Sequence, residues 1–468
     1  MSETHPLTAT RKEAAGIGAA SEARPLRRPG WRCVGAVAVA AVVVPALAAA
    51  VLSLLRPGSV LGGEAVRSAA AVIFAGAYLA LALGKVPGLS IDRAGVALVG
   101  GCLMVAAGAL PLQEAYRAID FDTITLLLGI MIVVASLRLS GFFALANAWI
   151  VRRAHRPIVL LAAIVAVSGV FSAFLVNDAI CLVLAPLVLE LTLSLKRRPT
   201  PYLLAVAMAS NVGSVATITG NPQNMMIGSV SHIPYLHFAA MLAPVAFAGL
   251  LLTVLLIASI YPGEFVRGGR FTAALPAVHA DRALVARALA AAGVMIALFF
   301  AGQPPAKAAI ILGGLLLLTR RVKSEQVYAE IDWPLLLMFV GLFVIVAGAE
   351  RALLTPGAVA AVGRLHLDRV PVLSLATAIL SNLVSNVPAV LVLKPFIAPM
   401  RNHDAAWLTV AMASTLAGNF TVLGSVANLI VVQKAAACGV QIGFWDHFKV
   451  GAPLTALTML FGTFWLWS

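Results

Sequence analysis

The sequence predicts an all-α polytopic membrane protein built from two inverted repeats, and two observations support this fold class. First, 61% of the 468 residues are hydrophobic and 11% are charged, whereas soluble domains carry about 25% charged residues. Many windows of about 20 residues contain almost no charge, and each is long enough to cross a hydrocarbon core about 30 Å thick. Second, a set of polar motifs occurs twice along the chain.

The charge balance and the cysteines exclude several other classes of protein. The formal charge of +14 comes from 33 Lys and Arg against 19 Asp and Glu. In a membrane protein basic residues collect in cytoplasmic loops, so we expect no nucleic-acid partner. The four cysteines are scattered and the histidines, His447 among them, fall in loops or at span edges. This distribution predicts neither a disulfide framework nor a transition-metal site.

The apolar runs divide the chain into five parts. We expect a disordered cytoplasmic tail in 1–30, an extra N-terminal transmembrane helix in 31–60, a first repeat in 61–262, a cytoplasmic linker in 263–282 and a second repeat in 283–468. The candidate spans are 32–55, 65–84, 91–112, 121–149, 157–195, 202–230, 236–260, 283–301, 305–319, 333–352, 370–397, 405–433 and 447–467.

Two of these runs are predicted to be re-entrant hairpins rather than single crossings. Polar pairs interrupt the middle of 157–195 and of 370–397. If both runs enter and leave on one side and the N-terminus is cytoplasmic, the clusters Lys196-Arg197-Arg198 and Arg320-Arg321-Lys323 both face the cytoplasm. Full crossings would place the second cluster outside, so the positive-inside rule favours hairpins. The two runs 202–230 and 405–433 are interrupted near 220 and 424.

The internal repeat rests on polar residues and glycines that recur in the same order at nearly constant spacing. The first copy contains Ile119-Asp120, Gly129, Ser172, Asn177, Pro186, Ser210, Thr217, Gly220 and Asn224; the second contains Ile331-Asp332, Gly341, Ser381, Asn386, Pro395, Ser414, Thr421, Gly424 and Asn428. An odd number of crossings separates equivalent positions, so the copies have opposite orientations. Inverted repeats with broken helices are typical of secondary transporters.

The polar residues of the hairpin tips and broken helices are the candidate site, because polar groups at membrane depth persist mainly where they line a cavity. They are Asn177, Asp178, Ser385 and Asn386 at the tips; Ser210, Asn211, Thr217, Thr219, Gly220, Asn221 and Asn224 in the first broken helix; and Thr421, Gly424, Ser425 and Asn428 in the second. The glycines are expected to be backbone hinges. The asparagines of the broken helices either bind the ligand or satisfy the broken helix, and both roles stay open.

Asp178 is the most distinctive candidate, because its repeat counterpart is Val387 and the hairpin therefore does not require a carboxylate. One role is binding Na⁺ or carrying a proton; the other is capping the outgoing hairpin helix. A Na⁺ ion near Asn177, Asp178 and Asn386 is the one bound ion that the pattern suggests, and no cofactor is expected.

Three stretches, SAFLVNDAICLVLAPLV, ASNVGSVATITGNPQN and SNLVSNVPAVLVLKPF, resemble the ion transporter superfamily of arsenite permeases, citrate transporters and divalent anion/sodium symporters. The resemblance covers about 65–467. It is nearest the arsenite-permease and general anion-permease branch, because both tips lack the Thr of the symporters' Ser-Asn-Thr triplet. It implies about 11 transmembrane helices plus two re-entrant hairpins, a homodimer and an elevator-like mechanism.

The leading functional hypothesis is a secondary active transporter in the cell (inner) membrane. It would move a carboxylate, an inorganic anion or arsenite/antimonite, coupled to Na⁺ or H⁺. A Na⁺/H⁺ antiporter that uses Asp178 is the alternative. An intramembrane enzyme is not expected, because the spans contain no Asp–Asp, Ser–His or His-Glu-x-x-His arrangement. The sequence contains no nucleotide-binding loop of the GxxxxGK(S/T) type, so we do not expect this chain to use ATP directly. An ATPase partner stays open but is not indicated.

Overall fold

A computed structural model describes residues 42–46, 48–49, 51, 60–83, 90–265, 280–318, 322–355, 357 and 362–467. The predicted tail (1–30) lies outside these ranges. Of the predicted N-terminal helix (31–60) and the linker (263–282), only small parts fall inside them.

Within these ranges every regular element is helical. The first half contains α1 (Val60–Leu83), α2 (Arg93–Ala106), α3 (Leu112–Ala118), α4 (Phe121–Leu139), α5 (Phe142–Arg153), α6 (Pro157–Leu175), α7 (Asn177–Ser194), α8 (Pro199–Ser214), α9 (Pro222–Ser231), α10 (Tyr235–Ile260) and α11 (Pro262–Phe265). The second half contains α12 (Arg282–Phe300), α13 (Pro305–Leu317), α14 (Ser324–Ala329), α15 (Trp333–Leu353), α16 (Val370–Val384), α17 (Asn386–Ile397), α18 (His403–Ala417), α19 (Val426–Ala437) and α20 (Phe444–Trp467).

Eight of the helices described here are long and apolar enough to cross a membrane, and they include both arms of the first hairpin, α6 and α7. The elements of the two halves follow the same order, with α2 to α4 matching α13 to α15 and α6 to α10 matching α16 to α20. The all-helical, twofold-repeated membrane fold is therefore confirmed.

A single residue joins the two arms of each predicted hairpin. Val176 (φ 65°) lies between α6 and α7, and Ser385 (φ 78°) lies between α16 and α17. A positive φ is costly for residues other than glycine, so its recurrence at both tips marks a shared, constrained turn. Both arms of each hairpin pack against the broken helix of the same repeat, α8 or α18.

The two helix breaks are built alike and lie where the sequence predicts them. After α8 ends, a 3-10 turn (Ile218–Gly220) follows, and the Asn221 side chain accepts from the Asn224 N–H (2.8 Å) to start α9. In the second repeat the turn is Val422–Gly424, and Ser425 starts α19. A Cβ at Gly220 would lie 2.1 Å from the Ser214 carbonyl oxygen, so the turn requires glycine.

The repeats interlock through two equivalent helix crossings, α4 with α13 and α15 with α2. A Cβ on Gly129 would lie 2.5 Å from the backbone of Ala309, and one on Gly341 would lie 2.3 Å from the backbone of Ala97. Glycine thus lets the helix axes approach closely, which explains why it recurs at both positions. The recurring Asp120 and Asp332 cap the N-termini of α4 and α15.

One predicted span is wrong in its extent. The run 121–149 was expected to be a single helix, but α4 ends at Leu139 and α5 begins at Phe142. Gly141 between them adopts the left-handed conformation (φ 82°). The apolar composition continues through this corner, so hydropathy alone does not reveal it.

Candidate functional site

The two helix breaks contact each other reciprocally at the centre of the molecule. Asn211, near the end of α8, accepts from the Ser425 hydroxyl (3.0 Å) and donates to Asn428 Oδ1 (3.1 Å). Its repeat counterpart Thr415, near the end of α18, accepts from Asn221 Nδ2 (3.0 Å) and Gln223 Nε2 (3.1 Å). Each broken helix therefore binds the break of the other repeat through amides and hydroxyls.

The tip of the first hairpin joins this centre directly. Asn177 Nδ2 donates to Asn211 Oδ1 (3.0 Å), and the Asn177 carbonyl oxygen accepts from the Ser210 hydroxyl (3.0 Å). Ser210 Oγ also lies 2.8 Å from Ser172 Oγ on α6. All four residues are buried, so the tip is held by hydrogen bonds that water does not compete for.

The tip of the second hairpin reaches the same centre by another route. All polar neighbours of Asn386 are satisfied when its amide nitrogen donates to the carbonyl oxygens of Ser414 (3.2 Å) and Gly424 (3.3 Å). Its oxygen then accepts from Gln223 Nε2 (3.1 Å), in the first repeat. The two tip asparagines thus bind different partners, and Gln223 connects the second tip to the first break.

The asparagines that follow each break hold its free carbonyl groups. Asn224 Nδ2 donates to the carbonyl oxygens of Ser214 (3.1 Å) and Thr217 (3.0 Å). Asn428 Nδ2 donates in the same way to Gly418 (2.8 Å) and Thr421 (3.1 Å). The nitrogen of each side chain therefore satisfies the broken helix, which leaves the oxygen for another partner.

The side-chain oxygens of Asn224 and Asn428 differ in their hydrogen bonding. Asn428 Oδ1 accepts from Asn211, whereas Asn224 Oδ1 has no hydrogen-bond partner among the residues described, and neither does Asn177 Oδ1. Asn224 is 0% exposed and Asn177 is 3% exposed. An unpaired buried carbonyl costs about 1–3 kcal/mol, so two of them in the first half-site suit a bound cation or a hydrogen-donating solute.

Asp178 lies beside this network, in a cavity of its own. The cavity has a volume of about 80 Å³ and is also lined by Asp332 and by Arg138 and Glu330, which form an ion pair. Asp178 stands in the first turn of its own helix α7, and Ile430 of α19 lines the same cavity. The carboxylate therefore lies at a helix N-terminus of the first repeat and beside a helix of the second.

Most of the predicted site residues come together, and some do not. Asn177, Ser210, Asn211, Asn221, Asn224, Ser425 and Asn428 form or border one network, together with the hinge glycines Gly220 and Gly424. The side chains of Thr217 and Thr219 bond each other (3.2 Å) rather than the network, although the Thr217 carbonyl oxygen accepts from Asn224. Ser385 and Thr421 are half-buried at the tip and the turn of the second repeat.

Sequence reasoning missed four members of the network: Gln223, Thr415, Asn419 and His447. Thr415 could have been found, because it occupies the repeat position of Asn211. Asn419 Oδ1 accepts from Asn211 (2.8 Å), yet its counterpart is Val215, so the repeat gave no signal. His447 was expected at a span edge; it lies in the first turn of α20 but is 1% exposed, with Nε2 2.9 Å from the Asn419 carbonyl oxygen.

An all-helical membrane fold with paired hairpins and broken helices around a shared polar centre defines a membrane transporter. Comparison with known proteins supports that class. A family model for citrate transporters, CitMHS, matches residues 69–417. The chain belongs to this family, within the ion transporter superfamily.

Individual relatives agree with the assignment. An uncharacterized transporter of Mycobacterium tuberculosis, Rv2684, is 28% identical over 426 residues, which cover 85% of this chain and 97% of that protein. The silicon efflux transporter LSI3 of Oryza sativa is 29% identical over 452 residues, covering 81% and 93%. The YdaH transporter of Alcanivorax borkumensis shares the fold, with a TM-score of 0.54 at 17% identity over 74% of this chain and 85% of that one. The family and these names indicate a transporter rather than an enzyme.

Proposed function

We propose that the protein is a secondary active transporter of a small oxyanion-type solute, coupled to Na⁺ or H⁺. The observation that carries the proposal is the polar centre itself, where two broken helices exchange hydrogen bonds and two buried carbonyl oxygens stay unpaired. A binding centre shared by two repeats can be exposed to either side of the membrane by moving one unit against the other.

The chemistry of the centre suits a small solute rich in oxygen and hydroxyl groups. Its side chains are amides and hydroxyls, which both donate and accept hydrogen bonds. No Arg or Lys takes part in the network around Asn211 in the part of the chain that the structure describes. A carboxylate, an inorganic anion or arsenite therefore fits best when its charge is absent or is balanced by a bound cation. The relative named as a silicon efflux transporter supports an oxyacid-type solute.

Coupling follows from the groups that an empty centre leaves unpaired. A Na⁺ ion at the oxygens of Asn177 and Asn224 would coordinate their unpaired lone pairs. A proton on Asp178 would neutralise the charge of its carboxylate inside the membrane. An empty or half-loaded centre keeps the cost of these unpaired groups, so movement across the bilayer is favoured only when the centre is fully loaded. The hairpins and broken helices would move as one unit, in an elevator-like manner, against a scaffold locked by the Gly129 and Gly341 crossings.

The setting of this transporter follows from the same features. We place it in the cell (inner) membrane with its N-terminus in the cytoplasm, because the basic clusters then face inward. Its partners are the solute, the lipid bilayer and a second copy of the chain in a homodimer. The proposal requires no ATPase.

A second candidate function is Na⁺/H⁺ antiport, favoured by the placement of Asp178 in a cavity between the hairpin and α19. This alternative predicts that Na⁺ or Li⁺ alone dissipates a pH gradient across proteoliposomes. Secondary transport of a solute predicts no such dissipation until the solute is added.

The direct test is a transport assay in proteoliposomes that hold the purified protein. The panel contains arsenite, orthosilicic acid, citrate, succinate and sulfate, each with an imposed Na⁺ gradient, an imposed pH gradient, or neither. The proposal predicts uptake of at least one solute that a gradient accelerates. If no member of the panel moves under any gradient while Na⁺ dissipates the pH gradient, the antiporter is the correct function.

A further inference from the structure

A cavity of about 440 Å³ lies next to the first helix break, where α9 and α12 end. We call it the entrance cavity. Its inner wall includes Ile218 of the 3-10 turn and Tyr235, the first residue of α10. Its polar lining comes from Asp122, Ser229, His232, Gln303 and Lys307. The loops that follow α9 and α12 form its rim, and Gln303 on that rim is exposed, so the cavity is open to an aqueous phase.

A chain of hydroxyl groups leads from this cavity to the first hairpin. Tyr235 Oη lies 2.7 Å from Thr219 Oγ1, and Thr219 Oγ1 lies 3.2 Å from Thr217 Oγ1. The Thr217 hydroxyl donates to the carbonyl oxygen of Ala173, close to the hairpin tip. The three hydroxyl residues are buried, at 4%, 0% and 2% exposure.

The hydrogen bond from Thr217 to Ala173 determines which hydroxyl donates at each step of the chain. Each hydroxyl has a single hydrogen to donate. Thr217 gives its hydrogen to Ala173, so Thr219 must donate to Thr217 and Tyr235 must donate to Thr219. The Tyr235 oxygen therefore offers only an acceptor to whatever approaches from the entrance cavity.

Aromatic rings pack around Tyr235 and connect it to the first hairpin. The Tyr235 ring lies 5.2 Å from that of Phe299 and 5.1 Å from that of Phe300, and Phe300 contacts Phe174 of the hairpin arm at 6.5 Å. The hydroxyl chain thus runs from an aromatic cluster at the cavity to the helix break.

The fold does not require this hydroxyl chain. In the second repeat Phe444 begins α20, where Tyr235 begins α10, and Leu423 occupies the position of Thr219. That turn folds with the same geometry although neither residue has a hydroxyl group. The hydroxyls of Tyr235 and Thr219 are therefore available for another role.

We propose that the entrance cavity is the route by which solute reaches the polar centre, and that Tyr235 is a positioning residue on that route. Its oxygen accepts a hydrogen bond from the hydroxyl group of a protonated oxyacid and orients that solute towards Thr219 and the break. The inference rests on the proposed transport function and adds to it the route and the form in which the solute enters.

The test compares Tyr235→Phe, which removes one oxygen atom, with Tyr202→Phe. Tyr202 is the matched control, because its buried hydroxyl also donates a hydrogen bond (to Glu264, 3.1 Å) but lies away from the cavity. Uptake of arsenite and of orthosilicic acid, both uncharged at neutral pH, is measured in proteoliposomes against concentration. Loss of one hydrogen bond to solute predicts that Tyr235→Phe raises KM about two- to tenfold, with the maximal rate retained and Tyr202→Phe unchanged.

The route is tested separately by chemical modification before reconstitution. Gln303→Cys places a thiol on the rim of the entrance cavity, and Gln441→Cys places one on an exposed loop outside it. A bulky maleimide on Gln303→Cys is expected to abolish uptake, whereas the same reagent on Gln441→Cys is expected to have no effect. Peptide mass spectrometry verifies that each variant is modified.

The outcomes separate this inference from the function on which it rests. If wild-type protein transports arsenite or orthosilicic acid and Tyr235→Phe has the same KM, the role of Tyr235 is refuted. If uptake survives full modification of Gln303→Cys, the route is refuted. If wild-type protein moves only sulfate, which has no hydrogen to donate, the protonated form is refuted. A wild-type protein that moves no solute refutes the transport function, and this inference with it.

Discussion

Replacing Asn211 with alanine is expected to destabilise the polar centre strongly. Its side chain makes four hydrogen bonds: to Asn177 and Ser425 as acceptor, and to Asn419 and Asn428 as donor, at 2.8–3.1 Å. Hydrogen bonds inside membrane proteins contribute about 0.6 kcal/mol each, and about 1 kcal/mol in soluble proteins. The free energy of unfolding should therefore fall by about 2–4 kcal/mol.

The assay is reversible unfolding of the purified protein in mixed micelles, followed by tryptophan fluorescence. Asn147→Ala is the matched control, because the Asn147 nitrogen makes one long hydrogen bond, 3.4 Å from the Leu187 carbonyl oxygen. The control should lose less than about 1 kcal/mol. If the two alanine variants lose the same free energy, the amide network does not hold the two repeats together and this reasoning is wrong.

Two further predictions concern the helix crossing at Gly341 and the ion pair between Arg138 and Glu330. Gly341→Ala should prevent the close approach of α15 to α2, because its Cβ would lie 2.3 Å from the backbone of Ala97. Gly314→Ala is the control and should fold normally, because the space around Gly314 is open. Size-exclusion profiles in detergent distinguish a folded variant from an aggregated one. Glu330→Gln should cost less than about 1 kcal/mol of unfolding free energy, because its ion pair with Arg138 is partly exposed; a loss as large as that of Asn211→Ala would show that the pair is a structural anchor.

Much of the fold could be predicted because its key features repeat. Asp120 and Gly129 recur as Asp332 and Gly341, and in the structure they serve as equivalent helix caps and equivalent close crossings. The hairpins and breaks were visible because polar residues interrupt apolar runs, and such interruptions are costly in a bilayer. The corner at Gly141 was missed, because no polar residue marks it and the hydropathy continues across it.

The candidate site was predicted most directly where both repeats carry polar side chains. Asn177 and Asn224 were found in this way. Asn419 and His447 were not, because their contacts depend on how α8, α18 and α20 pack, which no local pattern encodes. The difference between the two half-sites was equally hidden. Asn428 Oδ1 accepts from Asn211, whereas Asn224 Oδ1 has no partner among the residues described. The residue that corresponds to Asn211 is Thr415, and its hydroxyl accepts from Asn221 and Gln223.

The measurement that tests the central claim most directly is gradient-driven uptake by Asp178→Asn, compared with wild type and with Asp92→Asn. Asp92 is the matched control, because it is an exposed helix cap far from the polar centre. The account predicts that a Na⁺ or pH gradient accelerates uptake by wild type and by Asp92→Asn, and that uptake by Asp178→Asn no longer responds to it. An Asp178→Asn variant that responds to the gradient as wild type does would contradict a coupling role for this carboxylate and would leave Na⁺ at the oxygens of Asn177 and Asn224 as the coupling route.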